Sequence, residues 1–241
     1  MIAPIAALAL GLAGLAAAAP TSTGPAYPET SASNGFNLVL NVTDPSQDLS
    51  PPVHGTFVAS IHVGPALNYV GQSSDASVAR LFYVNGTASD VRYGNSNTVS
   101  DGGTPPFPEV LSLVPDKDSE TLSTLFLNAG SGGDGNYRTG ITGFPNPIPE
   151  LYPLTYVACR EALAYYGGKE FVIIKQAQTT VSEDGQIERN IPEGCAPLSL
   201  LPQCATLNDL PAGSTSSHEF AASTRCYEDV DSIDWPKYHA Y

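Results

Sequence analysis

The stretch from Phe36 to Thr43 limits what this chain can fold into. Phe36, Leu38, Leu40 and Val42 alternate with Asn37, Val39, Asn41 and Thr43. A repeat of two puts apolar side chains on one face of a strand and leaves the other face more polar. The pattern returns at Phe57, Ala59, Ile61 and Val63, and Gly64-Pro65 ends it. A third strand is expected over residues 78–84, running into Asn85-Gly86, a strong hairpin signal. A loop rich in Gly, Asn, Ser and Asp then leads to Pro108. Residues 110–114 and 122–127 read as a further hairpin around a polar turn. With 22 glycines and 21 prolines, turn signals recur along the chain. Short strands separated by such signals predict an all-β fold, an antiparallel sandwich or barrel.

Residues 155–166 pull two ways. Ala158 to Ala164 has helical propensity, but Tyr156, Val157, Tyr165 and Tyr166 prefer strands, and residues 171–175 are clearly β. Two strands with a connection between them are expected. After Gly185 the prolines at 192, 197, 202 and 211 suggest an irregular C-terminal segment starting near residue 186. One short helix is expected there, because Ser216-Ser217-His218-Glu219 forms a capping box ahead of Phe220-Ala221-Ala222.

Residues 1–18 form a short apolar run without charge, ending in small residues, and read as a signal peptide cut after Ala18. Residues 19–34 are Pro/Ser/Thr-rich and are expected to form a disordered leader. Residues 35–241 then make a single β-rich domain. Cys159, Cys195, Cys204 and Cys226 are an even set, which implies two disulfides in a secreted chain. Three pairings are possible; Cys159–Cys195 with Cys204–Cys226 is favoured over a pairing that includes Cys195–Cys204. No close cysteine pair suits a metal site, so no metal is expected. Two N-glycosylation sequons begin at Asn41 and Asn85. Asn41 is expected on the polar face of its strand, and Asn85 at a hairpin tip.

The net charge of −14 repels phosphate backbones and anionic lipid, so neither nucleic acid nor a membrane surface is an expected partner. The motifs that carry chemistry are incomplete. Gly130-Ser131-Gly132-Gly133 lacks the aspartate of a serine-protease nucleophile loop. Asp116-Lys117-Asp118-Ser119-Glu120 starts like a calcium loop, but Thr121 holds its glycine position and Leu127 its closing acid. His218-Glu219 opens a zincin motif that Ala222 leaves unfinished. His54, His62 and His239 have no neighbours at ligand or triad spacing. No catalytic residue and no cofactor is therefore expected. The twelve tyrosines and Trp235 could offer a contact face for sugar or peptide. Tyr165 and Tyr166 are the foremost candidates; in a strand they would point to opposite faces.

Ser33-Asn34-Gly35-Phe36 with Leu38, Asn41-Val42-Thr43, and Leu49 to Gly55 carry a family resemblance. So do Cys195 to Leu198, Leu207 to Pro211, Ser216 to Phe220 and Arg225-Cys226-Tyr227. Over residues 33–235 the chain resembles a family of uncharacterised secreted proteins of ascomycete fungi, some labelled IgE-binding or cell-wall-associated. The resemblance implies an extracellular location and brings no catalytic residues with it. The sequence thus points to a secreted, non-catalytic monomer, extracellular or cell-wall-associated, with cell-wall glycan or a host protein as partner. The alternative is a secreted, carbohydrate-active hydrolase whose acids meet only in three dimensions.

Overall fold

The computed structural model describes residues 27–130, 137–143 and 145–238. The expected signal peptide, most of the leader, Ser131 to Gly133 and His239 lie outside the described residues. In chain order the strands are β1 (Ser31–Ser33), β2 (Gly35–Val42), β3 (Phe57–Gly64), β4 (Leu67–Ser73) and β5 (Leu81–Asn85). Helix α1 (Ala88–Arg92) follows, then β6 (Asn97–Gly102), β7 (Phe107–Pro115), β8 (Leu122–Ala129) and β9 (Tyr137–Arg138). Next come β10 (Gly140–Ile141), β11 (Leu151–Tyr152), β12 (Tyr156–Leu163), β13 (Lys169–Ala177), β14 (Thr179–Val181) and β15 (Ile187–Arg189). The last three are β16 (Ala196–Ala205), β17 (Ala221–Ala222) and β18 (Thr224–Cys226).

The strand pairing closes on itself. β12, β16, β2, β5, β6, β7, β8 and β13 form an antiparallel circuit in which β13 pairs back with β12. The β3–β4 hairpin spans one side, bound to β2 through Phe57 and to β13 and β8 through Gly71 and Tyr69. A closed circuit leaves little unpaired edge. Its interior is one apolar cluster drawn from every strand of the circuit except β6: Phe36, Leu38 and Leu40 of β2, Phe82 of β5, Leu111 of β7, Leu125 of β8, Tyr156 of β12, Ile174 of β13 and Leu200 of β16. At the seam between β2 and β5, Phe36 lies opposite Phe82 with ring centroids 6.2 Å apart. Gly71 lets β4 approach β13, since a Cβ there would lie 2.8 Å from the Val172 carbonyl oxygen.

The all-β antiparallel expectation holds, as does the two-strand reading of residues 155–166. β12 and β13 pair from Tyr156 to Leu163 around a one-turn 3-10 helix at Ala164–Tyr166. Both favoured disulfides form: Cys159–Cys195 ties β12 to the approach to β16, and Cys204–Cys226 ties β16 to β18.

Several local expectations fail for tertiary reasons. The irregular segment does not start near 186, because β16 is a ten-residue strand paired on both sides. Its prolines sit where a missing N–H costs little. The carbonyl of Pro202 faces a single bridge to Tyr227, and that of Pro197 faces Thr43 at the end of β2. The loop expected after Asn85-Gly86 contains β6, and α1 separates β5 from it, so the dipeptide makes no two-residue hairpin. Among the described residues the one α-helix is α1, capped by a reciprocal Thr87–Asp90 box. Ser216 to Phe220 is irregular and ends in a turn at Glu219-Phe220 instead of forming a helix. His218 is held by Asp101, and Ala221 is drawn into pairing with Asn85. β4 was not legible as a strand from its short, mixed sequence. Residues 31–33 of the expected disordered leader form β1, which pairs with β18 beside the Cys204–Cys226 bridge.

Asn41 is also not where a solvent-facing strand position would put it; it is 4% exposed. The second face of β2 is covered, with Val39 packed on Leu201, Ile148, Tyr227 and Val230. The expected polar face is thus an interior surface between the sheet and the C-terminal segment.

If the β2–β5 seam holds the circuit closed, Phe82→Ala should destabilise the protein by about 3–5 kcal/mol. Equilibrium unfolding in urea, at unchanged m-value, checks this.

Candidate functional site

The outer face of β4, β8, β12 and β13 carries the main candidate. Val70, Leu125, Leu127, Val172 and Ile174 point into the core, so their strand neighbours Tyr69, Phe126, Phe171 and Lys175 point outward. The Tyr69 and Phe126 rings lie 4.7 Å apart. They line a depression of about 600 Å³ together with Asp116, Lys117, Glu161 and Lys175. Lys175 is 9% exposed and is held between two acids. Its Nζ donates to Asp116 Oδ2 at 2.8 Å and forms a second ion pair with Glu161. Burial opposes the charge on Lys175, but the two carboxylates outweigh it and raise its pKa. Asp116 also accepts from Thr124 Oγ1 at 2.5 Å. The acid that would open a calcium loop is thus bonded to a lysine and a threonine.

An aromatic row adjoins this depression. Glu161 lies opposite Phe171 in the β12–β13 ladder. The Phe171 ring is 4.7 Å from Tyr166, Tyr166 is 5.2 Å from Tyr165, and Tyr165 meets His62 edge-on at 5.7 Å. Tyr166 Oη donates to the His62 carbonyl at 2.8 Å. Tyr165 is 58% exposed and Tyr166 39%. The two tyrosines do not point to opposite faces, because they sit in a 3-10 turn closed by Gly167 in the left-handed region. Both rings therefore stand on one side, in contact. The tyrosine pair was visible in the sequence. Tyr69, Phe126, Asp116, Glu161 and Lys175 were missed as a group, although an outward Phe126 between inward Leu125 and Leu127 was a usable signal.

Two further polar groups lie near β6. Inside the circuit, Glu109 pairs with Arg80 and accepts from Asn68 Nδ2 at 3.0 Å, while Arg80 Nε donates to Ser100 Oγ at 3.1 Å. Gly102 makes the room, since a Cβ there would sit 2.3 Å from the Glu109 carboxyl carbon. Burial raises the pKa of Glu109 in spite of Arg80 and Asn68. On the outer side, His218 Nε2 lies 2.7 Å from Asp101 Oδ2, and its ring meets Tyr83 at 4.8 Å. Ser100 is opposite Glu109 in the β6–β7 ladder and Asp101 opposite Pro108, so Asp101 and Glu109 occupy opposite faces. They cannot flank one bond as a glycosidase acid pair would. Among the described residues, no group of three or more His, Cys, Asp or Glu gathers to hold a metal ion.

Of the sequon residues, Asn85 ends β5 half-buried, opposite Asn97 and Ala221, and Asn41 lies beneath the C-terminal segment. His54 is exposed; its Nδ1 accepts from the Val42 amide at 3.2 Å.

Residues 33–204 match the family model described as "Domain of unknown function (DUF7907)", and the chain belongs to this family. It is 50% identical over 214 residues to "Antigenic protein SchS34" of Stachybotrys chartarum, covering 89% of this chain and 95% of that protein. No solved structure matches the chain.

Glu150 links the site analysis to stability. It is 8% exposed and accepts from Ser199 Oγ at 2.8 Å. Burial raises its pKa, only partly offset by Ser199 and Arg189. A carboxyl with a raised folded pKa favours the folded state while protonated. Its contribution is full below the ordinary value of 4.5 and is lost as pH rises through the folded value. The melting temperature should therefore be higher at about pH 5 than at about pH 7.5, and Glu150→Gln should flatten that difference. Thermal unfolding of both proteins across this range checks the sign.

Proposed function

We propose that this member of the DUF7907 family is a secreted, non-catalytic protein that binds cell-wall carbohydrate through the outer face of β4, β8, β12 and β13. The observation that carries the reading is the aromatic row of exposed Tyr165 and Tyr166 and half-buried Phe171, leading to the depression between Tyr69, Phe126 and the Asp116–Lys175–Glu161 group. Aromatic rings offer apolar faces to a sugar's C–H surface, and flanking charged groups hydrogen-bond its hydroxyls. The net charge of −14 disfavours polyanions, so neutral or amino-sugar polymers are the expected ligands. Two disulfides and the apolar N-terminal run support an extracellular address. The relative's description as antigenic fits a protein that meets host antibodies, without naming an activity.

The hydrolase reading keeps one specific observation, the His218–Asp101 contact. Against it, the nearby Ser100 hydroxyl is bonded to Arg80, and Glu109 lies on the opposite face. Substrate turnover that Asp101→Asn abolishes, with the fold intact, would favour that reading.

Pull-down on insoluble β-glucan and chitin tests the proposal. The protein should be retained, and a Tyr165→Ala/Tyr166→Ala variant should bind at least about tenfold more weakly, a loss of about 1.4 kcal/mol or more. Both side chains are exposed, so its stability should change by no more than about 0.5 kcal/mol per residue. Undiminished binding by the double variant would remove the aromatic row from the site.

A further inference from the structure

A second cavity lies on another side of the molecule, under the C-terminal segment. It holds about 480 Å³ and is lined by Asn41, Thr43, His54, Trp235, Pro236 and Tyr238, among others. That is within the roughly 300–1,000 Å³ range of pockets that hold small organic ligands. Asn41 is 4% exposed as a residue and lines this cavity; its side-chain amide makes no hydrogen bond within the described residues, yet its polar atoms are not among the fully buried ones that lack a partner, so the amide reaches the cavity. Its neighbour across the β2–β16 ladder, Ser199, does have a partner in Glu150. Asn41 is also the acceptor of the Asn41-Val42-Thr43 sequon.

We infer that Asn41 carries an N-glycan whose first sugar is seated in this cavity, between β2 and the segment bearing Trp235 and Tyr238. The inference rests on the secretory part of the proposed function and is independent of the outer aromatic row. Transfer joins Asn41 Nδ2 to the anomeric carbon of a lipid-pyrophosphate-linked oligosaccharide. The bond from that carbon to the pyrophosphate breaks, the lipid pyrophosphate leaves, and the amide gives up one proton. The donor and the transferase belong to the secretory pathway. Chain order makes the step possible, because Asn41 is synthesised well before residues 228–238 can fold over it. Once those residues dock, the sugar lies against an aromatic wall, since the Trp235 ring packs edge-on to Tyr227 at 5.9 Å. Rings of this kind give a sugar face an apolar contact. The cavity is partly open to solvent, so the rest of the glycan has a way out of it.

The test uses the full chain secreted from a eukaryotic host. Glycopeptide mass spectrometry reads occupancy at Asn41 and Asn85, and peptide N-glycosidase is applied before and after denaturation. The expected result is occupancy at both sites. The Asn85 glycan should be released from the native protein, and the Asn41 glycan only after denaturation. Trp235→Ala should make the Asn41 glycan releasable from the native protein, at a rate at least tenfold above wild type. An unmodified Asn41 beside an occupied Asn85 overturns the inference and leaves the secretory reading standing. Equal release of the two glycans from native wild type also overturns it, because a seated sugar would be shielded. Occupancy at neither asparagine removes both this inference and the secretory reading.

Discussion

β2 is covered on both faces, and much of the structure follows from that. One face supplies Phe36, Leu38, Leu40 and Val42 to the interior of the closed sheet. The other face, with Val39 and Asn41, needs a second layer, because an apolar strand face left in water would forfeit its burial free energy. The C-terminal segment supplies that layer. Tyr227, Val230, Ile233 and Trp235 pack over Val39 and Leu201. The Cys204–Cys226 bridge and the Gln203–Tyr227 strand contact fix where the segment turns back. The bridge therefore acts close to the surface it secures, and β1 pairs with β18 at the same place.

Filling the interior sends function to the outside. The circuit is packed with large apolar side chains, and the Arg80–Glu109–Asn68 group is bonded within itself. What remains are outward strand positions and the space beneath the C-terminal segment. The outer face of β12 and β13 is broad because the β3–β4 hairpin continues it through Gly71 and Tyr69. There the rings gather on one surface, and a lysine held by two acids gives that surface fixed hydrogen-bonding groups. His218 and Asp101 have a different consequence. They anchor the stretch between β16 and β17 against β6, where Ser214 and Thr215 also bond the Pro106 carbonyl.

Membership in a family of unknown function and half-identity to an antigenic fungal protein agree with what the chain itself contains. None of the catalytic motifs in the sequence is complete. Asp101 and Glu109 are divided by the faces of a strand pair, and Asp116 and Glu161 both hold Lys175.

The sequence by itself determined the all-β class, the positions of β2, β3, β7 and β8, and the β12–β13 hairpin. Those features are encoded by alternation and turn chemistry within a few residues of each other. That the four cysteines form two disulfides was also within its reach, whereas the choice among the three pairings belongs to the fold. Tertiary structure alone decided the rest. β16 reads as irregular because its prolines hide a strand that only two neighbouring strands can reveal. Ser216 to Phe220 carries a sound helix signal that loses to Asp101 and to pairing with β5. Asn41 sits at an outward position of β2, and burial there depends on residues almost two hundred positions away. The aromatic and charged groups of the candidate site come from β4, β8, β12, β13 and their turns. Tyr165, Tyr166 and Asp116 stand out locally, but their grouping with Tyr69, Phe126, Glu161 and Lys175 does not, because long-range pairing brings them onto one face, and a local pattern holds no record of which strands will be neighbours.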